Sequence, residues 1–171
     1  KPASADLEGY VYGETYNFAV SASVEDILNR TFDQFYTQIE KYDLVNGFKQ
    51  QNLTLYQGIT LASIIQREVG TAVDQKQVAQ VFYTRLAENM PLGSDVTYHY
   101  AADKRGITRD NTLDDPYNTR IHAGLPPGPI AAPGMSAIQA VANPTPGDCV
   151  YFLRGADHKT YFTRTNEKHE K

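Results

Sequence analysis

A chain of 171 residues fits one domain and leaves no room for a second large one. Hydrophobic residues at 41%, charged residues at 21%, and 12 Tyr with 7 Phe are the values of a globular chain with ample core area, which excludes global disorder. Sixteen Lys and Arg against 20 Asp and Glu give a net charge of −4 with the basic residues scattered, which argues against a nucleic-acid binder. No apolar run approaches the roughly 18 residues of a membrane span. The chain lacks an initiator Met and a signal pattern, so it reads as a soluble fragment or processed form without its targeting segment.

Gly9-Tyr10-Val11-Tyr12-Gly13 and Thr15-Tyr16-Asn17-Phe18-Ala19 are aromatic-rich and period-two in places, which predicts an early strand or hairpin. Ser23 then precedes Val24, Ile27, Leu28, Phe32, Phe35 and Ile39, whose three and four spacings predict an amphipathic helix ending before Gly47. Thr54 with Gln57 three residues later is a capping-box signature, so a second helix starts near Leu55. It runs through Val69 to Gly70, a residue suited to the left-handed position past a helix end. Asp74 and Gln77 repeat the start signal for a helix with Val78, Val81, Phe82 and Leu86 on its apolar face, ended by Asn89 to Pro91.

From Pro91 to Pro133, Gly, Pro, Asp, Asn and Thr replace periodic apolar residues for about forty positions, far more than the 4 to 6 of a usual connection. The Tyr, His and Leu within this stretch predict a long ordered loop that walls a site. Ser136 and Gln139 cap a short helix stopped by Asn143-Pro144. Strands Cys149 to Leu153 and Lys159 to Arg164, joined by a turn at Gly155 to His158, close the chain. Cys149 has no disulfide partner and reads as a buried strand residue. The fold class is α+β, with helices packed on a mostly antiparallel sheet.

On a wheel at about 100° per residue, Leu61, Ala62, Ile64, Ile65 and Val69 share one arc with Glu68 inside it, while Ser63, Gln66 and Arg67 lie opposite. A carboxyl on an apolar arc is poorly hydrated, which raises its pKa toward what a general acid needs near neutral pH. Two readings stand at Glu68: a catalytic acid, or a carboxylate buried for pairing, with Arg85 of the next helix as partner. Asp95 is either a second carboxylate or a turn former, and Asp114-Asp115-Pro116 reads as a solvated turn. His99, His122, His158 and His169 show no paired ligand spacing, and no Gly-x-Ser-x-Gly elbow or phosphate loop occurs, so neither a metal nor a cofactor is expected. Gly124-Leu125-Pro126-Pro127-Gly128-Pro129 is read as a rigid wall of the site in preference to a recognition peptide.

Leu61 to Glu68, then Val78 to Leu86 with Met90-Pro91-Leu92-Gly93-Ser94-Asp95, resembles the endolytic murein transglycosylase family, also called YceG-like. Pro116-Tyr117-Asn118-Thr119, Gly124 to Ile130 with Pro133-Gly134, Tyr151-Phe152 and Tyr161-Phe162 extend the resemblance in order over nearly all of residues 1–171, which are therefore expected to be one catalytic domain. The resemblance implies a bacterial enzyme that cuts peptidoglycan glycan strands internally, between N-acetylmuramic acid and N-acetylglucosamine. Its catalytic Glu maps to Glu68. This chain carries Gln66 where the family usually has a second acidic residue, and Val96 where it often has Pro. The resemblance also implies a preceding membrane helix and LysM-like domain, action outside the cytoplasmic membrane, and partnership with wall synthases. Ser94, Asp95, Thr97, Tyr117, Asn118 and Thr119 offer the hydroxyl, amide, carboxylate and aromatic groups expected to contact sugar. A hydrolytic muramidase using Glu68 and Asp95, and a wall-binding module without catalysis, are the alternatives.

Overall fold

The computed structural model describes residues 7–165, which form six helices and one two-stranded sheet. Residues 1–6 and 166–171, including His169, lie outside the described part. Helix α1 spans Val24–Lys41 behind a reciprocal Ser23–Asp26 capping box. It does not reach Gly47: the chain turns at Asp43, which takes a left-handed φ of 51°, and Leu44–Gln50 forms a separate helix α2. Helix α3, Leu55–Glu68, opens with the expected Thr54–Gln57 box. It ends differently from expectation, because Val69 turns extended and Gly70 does not adopt the left-handed conformation. Helix α4, Ala72–Ala87, is capped by Thr71 instead of Asp74, since the Thr71 hydroxyl accepts the Asp74 N–H.

The segment read as one long loop contains helix α5, Asp95–Arg105, which presents Thr97, Tyr100, Ala101 and Ala102 inward. Polar and small residues on the inner face hide the helical period from hydrophobicity. Helix α6, Met135–Ala142, has Gly134 as its N-cap, two residues ahead of the expected Ser136. Strands β1, Tyr151–Arg154, and β2, Thr160–Thr163, pair antiparallel with Phe152 opposite Phe162. Cys149 precedes β1 and is only half-buried. The predicted early hairpin is absent: residues 7–23 are irregular, because their alternating aromatics face no partner strand, and Tyr10 instead packs its ring on Phe35 at 5.2 Å.

The α+β class holds, with a sheet far smaller than a platform for all the helices. The core is helical. Helix α3 runs through its centre, and every residue from Gly58 to Ile65 is buried. Phe48 of α2, Phe82 of α4 and Ile138 of α6 close around it with no exposure. Burying each such side chain contributes roughly 1.5–3 kcal/mol. Gly58 is required by this packing, since a Cβ there would lie 2.7 Å from the Phe48 ring. Among the described residues, no helix is long and apolar enough to cross a membrane.

Candidate active site

Glu68 is the last residue of α3, where the helix leaves the core. Its carboxylate accepts a short hydrogen bond from the Ser94 hydroxyl. Burial pushes its pKa above the ordinary carboxylate value; the Ser94 bond opposes that shift, the charge of Asp95 adds to it, and Arg85 and Arg67 pull it back. The expected alternative of a Glu68–Arg85 ion pair is not found among the described residues. The Arg85 guanidinium instead donates to the carbonyl oxygens of Val150, at 2.7 Å, and Leu92, and acts on Glu68 only through its field.

Ser94 is itself 3% exposed and held by its neighbours. Its backbone N–H donates to Thr119 Oγ1 at 3.2 Å, and its carbonyl accepts from Thr97 Oγ1 at 2.6 Å. Thr97 and Thr119 hydroxyls meet at 3.0 Å, and Gly93 N–H donates to the Thr119 carbonyl at 2.8 Å. The approach of Arg85 needs a glycine at 93, because that residue has φ 65° and a Cβ there would stand 3.0 Å from the guanidinium.

The six residues expected to contact sugar therefore divide. Ser94 and Asp95 stand beside Glu68, although Asp95 is exposed and ion-paired with Arg120. Thr97, Asn118 and Thr119 are almost wholly buried, and their polar groups knit the loop together. Asn118 donates to the carbonyls of Asn111 and Leu113 and accepts from the Arg120 N–H. Tyr117 is half-buried, with its ring 5.0 Å from that of Tyr100. Asp115, read as solvated, is 6% exposed, ion-paired with Arg105, and bonded to the Tyr117 N–H. An Asp-Asp-Pro string carries no signal of which carboxylate turns inward.

Part of the polar side of α3 is covered as well, although Arg67 is exposed. Ser63 Oγ accepts the Ile130 N–H at 3.0 Å, and Gln66 Oε1 accepts the Gly134 N–H at 2.8 Å, so both side chains pin the wall that leads into α6. An acidic residue at 66 would accept the same bond, so Gln66 preserves that contact. Sequence reasoning missed Arg85 as a link, because its partners are backbone carbonyls and no side-chain pattern marks them. Among the described residues, no cluster of three His, Cys, Asp or Glu side chains is placed to hold a metal ion.

The whole chain, residues 1–171, matches the model of the YceG-like family. It is 38% identical over 169 residues to a Bacillus subtilis protein named endolytic murein transglycosylase, covering 96% of this chain and 46% of that one. A Streptococcus pneumoniae protein of the same name is 32% identical over 174 residues, with 96% and 31% covered. The 2.6 Å crystal structure of a YceG-like protein from Listeria monocytogenes superposes with a TM-score of 0.84 at 37% identity, covering 96% of this chain and 54% of that one. The chain thus spans about half the length of the Bacillus relative and a third of the Streptococcus one.

Proposed function

This chain belongs to the YceG-like family, and from that membership and the setting of Glu68 we propose that it is an endolytic lytic transglycosylase domain acting on peptidoglycan. In this reading it cuts the β-1,4 bond from N-acetylmuramic acid to N-acetylglucosamine within glycan strands and leaves 1,6-anhydromuramic ends. The carrying observation is the Glu68 carboxyl at the end of a buried helix, held by the Ser94 hydroxyl and favoured in its protonated form by burial.

Protonated Glu68 donates to the glycosidic oxygen as the bond to the anomeric carbon breaks. The resulting carboxylate takes the proton of the C6 hydroxyl as that oxygen closes on the anomeric carbon, so Glu68 regains its proton and no water is consumed. The C6 hydroxyl belongs to the same sugar, and its enforced proximity replaces a bound nucleophile. Ser94 orients the carboxyl, Thr97 and Thr119 hold Ser94 in place from behind, and Asn118 ties down the loop that carries Thr119. Asp95 and Tyr117 are the sugar contacts. The pairing of Asp95 with Arg120 disfavours it as a free second base, which weighs against a hydrolytic muramidase. The domain acts at the wall outside the cytoplasmic membrane, with the membrane tether and synthase partners that the family implies.

Digestion of purified peptidoglycan in ¹⁸O-labelled water tests the reading. Early products are expected to be internal fragments with anhydro ends, lighter than hydrolysed ends by one water and free of ¹⁸O, and Glu68→Gln is expected to yield none. Incorporation of ¹⁸O at new muramic ends would establish hydrolysis instead, and binding without cleavage would establish a non-catalytic module.

A further inference from the structure

Three cavities follow one another on the side of the molecule where α3 begins. The first, about 620 Å³, lies between the first turn of α3 and Leu125-Pro126-Pro127. The second, about 600 Å³, lies between the α2–α3 connection and the end of α4. The third, about 340 Å³, lies between α4 and Pro144 to Gly147. Gln57 and Leu125 line both the first and the second, and Gln51 and Tyr83 line both the second and the third, so the three form one row.

None of the described residues lining the row carries a charge, in a chain with 21% charged residues. Accessible side-chain amides recur along it at Gln50, Gln51, Asn52 and Gln57, with hydroxyls at Thr54 and Thr145 and tyrosine rings at 56 and 83, whereas Thr60 and Gln80 are buried and donate inward to the carbonyls of Tyr56 and Cys149. The Tyr83 ring is fixed, because its hydroxyl donates to the Val141 carbonyl at 2.7 Å. Amides pair with acetamido and hydroxyl groups, and aromatic faces pack on the apolar faces of sugar rings. Without a cation or anion, the row offers no partner for the carboxylates and amines of a stem peptide, whose desolvation would stay uncompensated.

We propose that this row is a second binding site, for the uncharged, N-acetylated part of a glycan strand, separate from the site around Glu68. It rests on the peptidoglycan reading for its natural ligand. The separation follows from α3 itself, since Gln57 and Glu68 lie eleven residues apart in sequence, roughly 16 Å along the helix axis. A strand held there keeps long substrates on the protein, so its loss affects cleavage of long strands more than of short fragments.

Titration of the intact chain with tetra-N-acetylchitotetraose, followed by amide chemical shifts, tests the site. Shifts are expected at Gln51, Asn52, Gln57, Tyr83 and Thr145. Ala87→Trp, on an exposed position lining the second cavity, and Gln51→Ala, which removes one amide, are each expected to weaken binding by about tenfold, the equivalent of one or two hydrogen bonds. Shifts confined to the neighbourhood of Glu68, no binding at millimolar sugar, or shifts along the row with a stem peptide and not with the sugar would each overturn the proposal. A chain that binds the sugar along the row yet leaves peptidoglycan uncut would refute the transglycosylase reading and leave the site standing.

Discussion

At Glu68, protonation links the proposed acid chemistry to stability. Its pKa is raised on folding, first by burial, so the folded chain holds that proton more tightly than the unfolded chain does. The stabilisation is fully present below the unfolded carboxyl's pKa and is lost as pH rises through the raised value. Glu68→Gln keeps the shape and the acceptor for Ser94 while removing the ionisation. The variant is expected to melt above the parent near neutral pH, to match it below about pH 4, and to lose turnover by a factor on the order of 10² or more. Equal melting temperatures at both pH values would show that Glu68 is no more costly to ionise in the fold than in the unfolded chain. Gln66 behaves differently, because its partner is the Gly134 N–H. Gln66→Ala is expected to cost about 1 kcal/mol of stability with only a mild loss of rate, and Gln66→Glu is expected to retain activity. Abolition of cleavage by Gln66→Ala in a folded protein would move the essential role to position 66.

Helix α3 sets the position of the site, and its two ends are fixed by different means. The start is local: the Thr54–Gln57 box satisfies end groups of the helix, and Thr54→Ala is expected to cost about 1 kcal/mol in chemical denaturation. The middle is tertiary, since Gly58 admits the Phe48 ring and Gly58→Ala is expected to cost about 1–3 kcal/mol through overpacking. Gly58→Ala as mild as Thr54→Ala would mean that α2 gives way easily. This difference also explains what was legible in the sequence. α3 and α4 announce themselves through apolar residues at helical spacing and polar caps, and the wheel puts Glu68 on the inner arc. α5 is hidden because Thr97 and Tyr100 face inward, so its period is written in hydrogen bonds. The aromatic alternation at 9–19 imitates a strand, yet strands need partners that no local pattern supplies. Ser94 and Asp95 were readable as neighbours of a site, whereas the burial of Thr97, Asn118 and Thr119 depends on a loop closing over itself from residues more than twenty positions apart.

Across the whole molecule, α4 joins the sheet to the Glu68 end of α3. Phe82 meets Phe152 edge-on at 5.8 Å, Gln80 donates to the Cys149 carbonyl at 2.9 Å, and Asp74 accepts from Thr160 Oγ1 at 3.0 Å. Arg85 adds the Val150 and Leu92 carbonyls, so one side chain spans the strand entry and the segment that presents Ser94 to Glu68. It therefore has two separable effects, one geometric and one electrostatic. Arg85→Lys keeps the charge and loses the fork that reaches both carbonyls. Amide exchange is expected to quicken at 92–94 and along β1 and β2 while α3 stays protected, because only the docked parts lose a tie. Arg85→Gln removes the charge as well. Ser94, Asp95 and Arg67 continue to act on Glu68, but the pull of Arg85 toward the ionised form is gone. The Glu68 pKa then rises, and the alkaline limb of the pH–rate profile, where the general acid deprotonates, moves to higher pH in Arg85→Gln and stays in place in Arg85→Lys. Equal movement of the limb in both variants would assign the effect to geometry alone, and movement in neither would remove Arg85 from the electrostatics of the site.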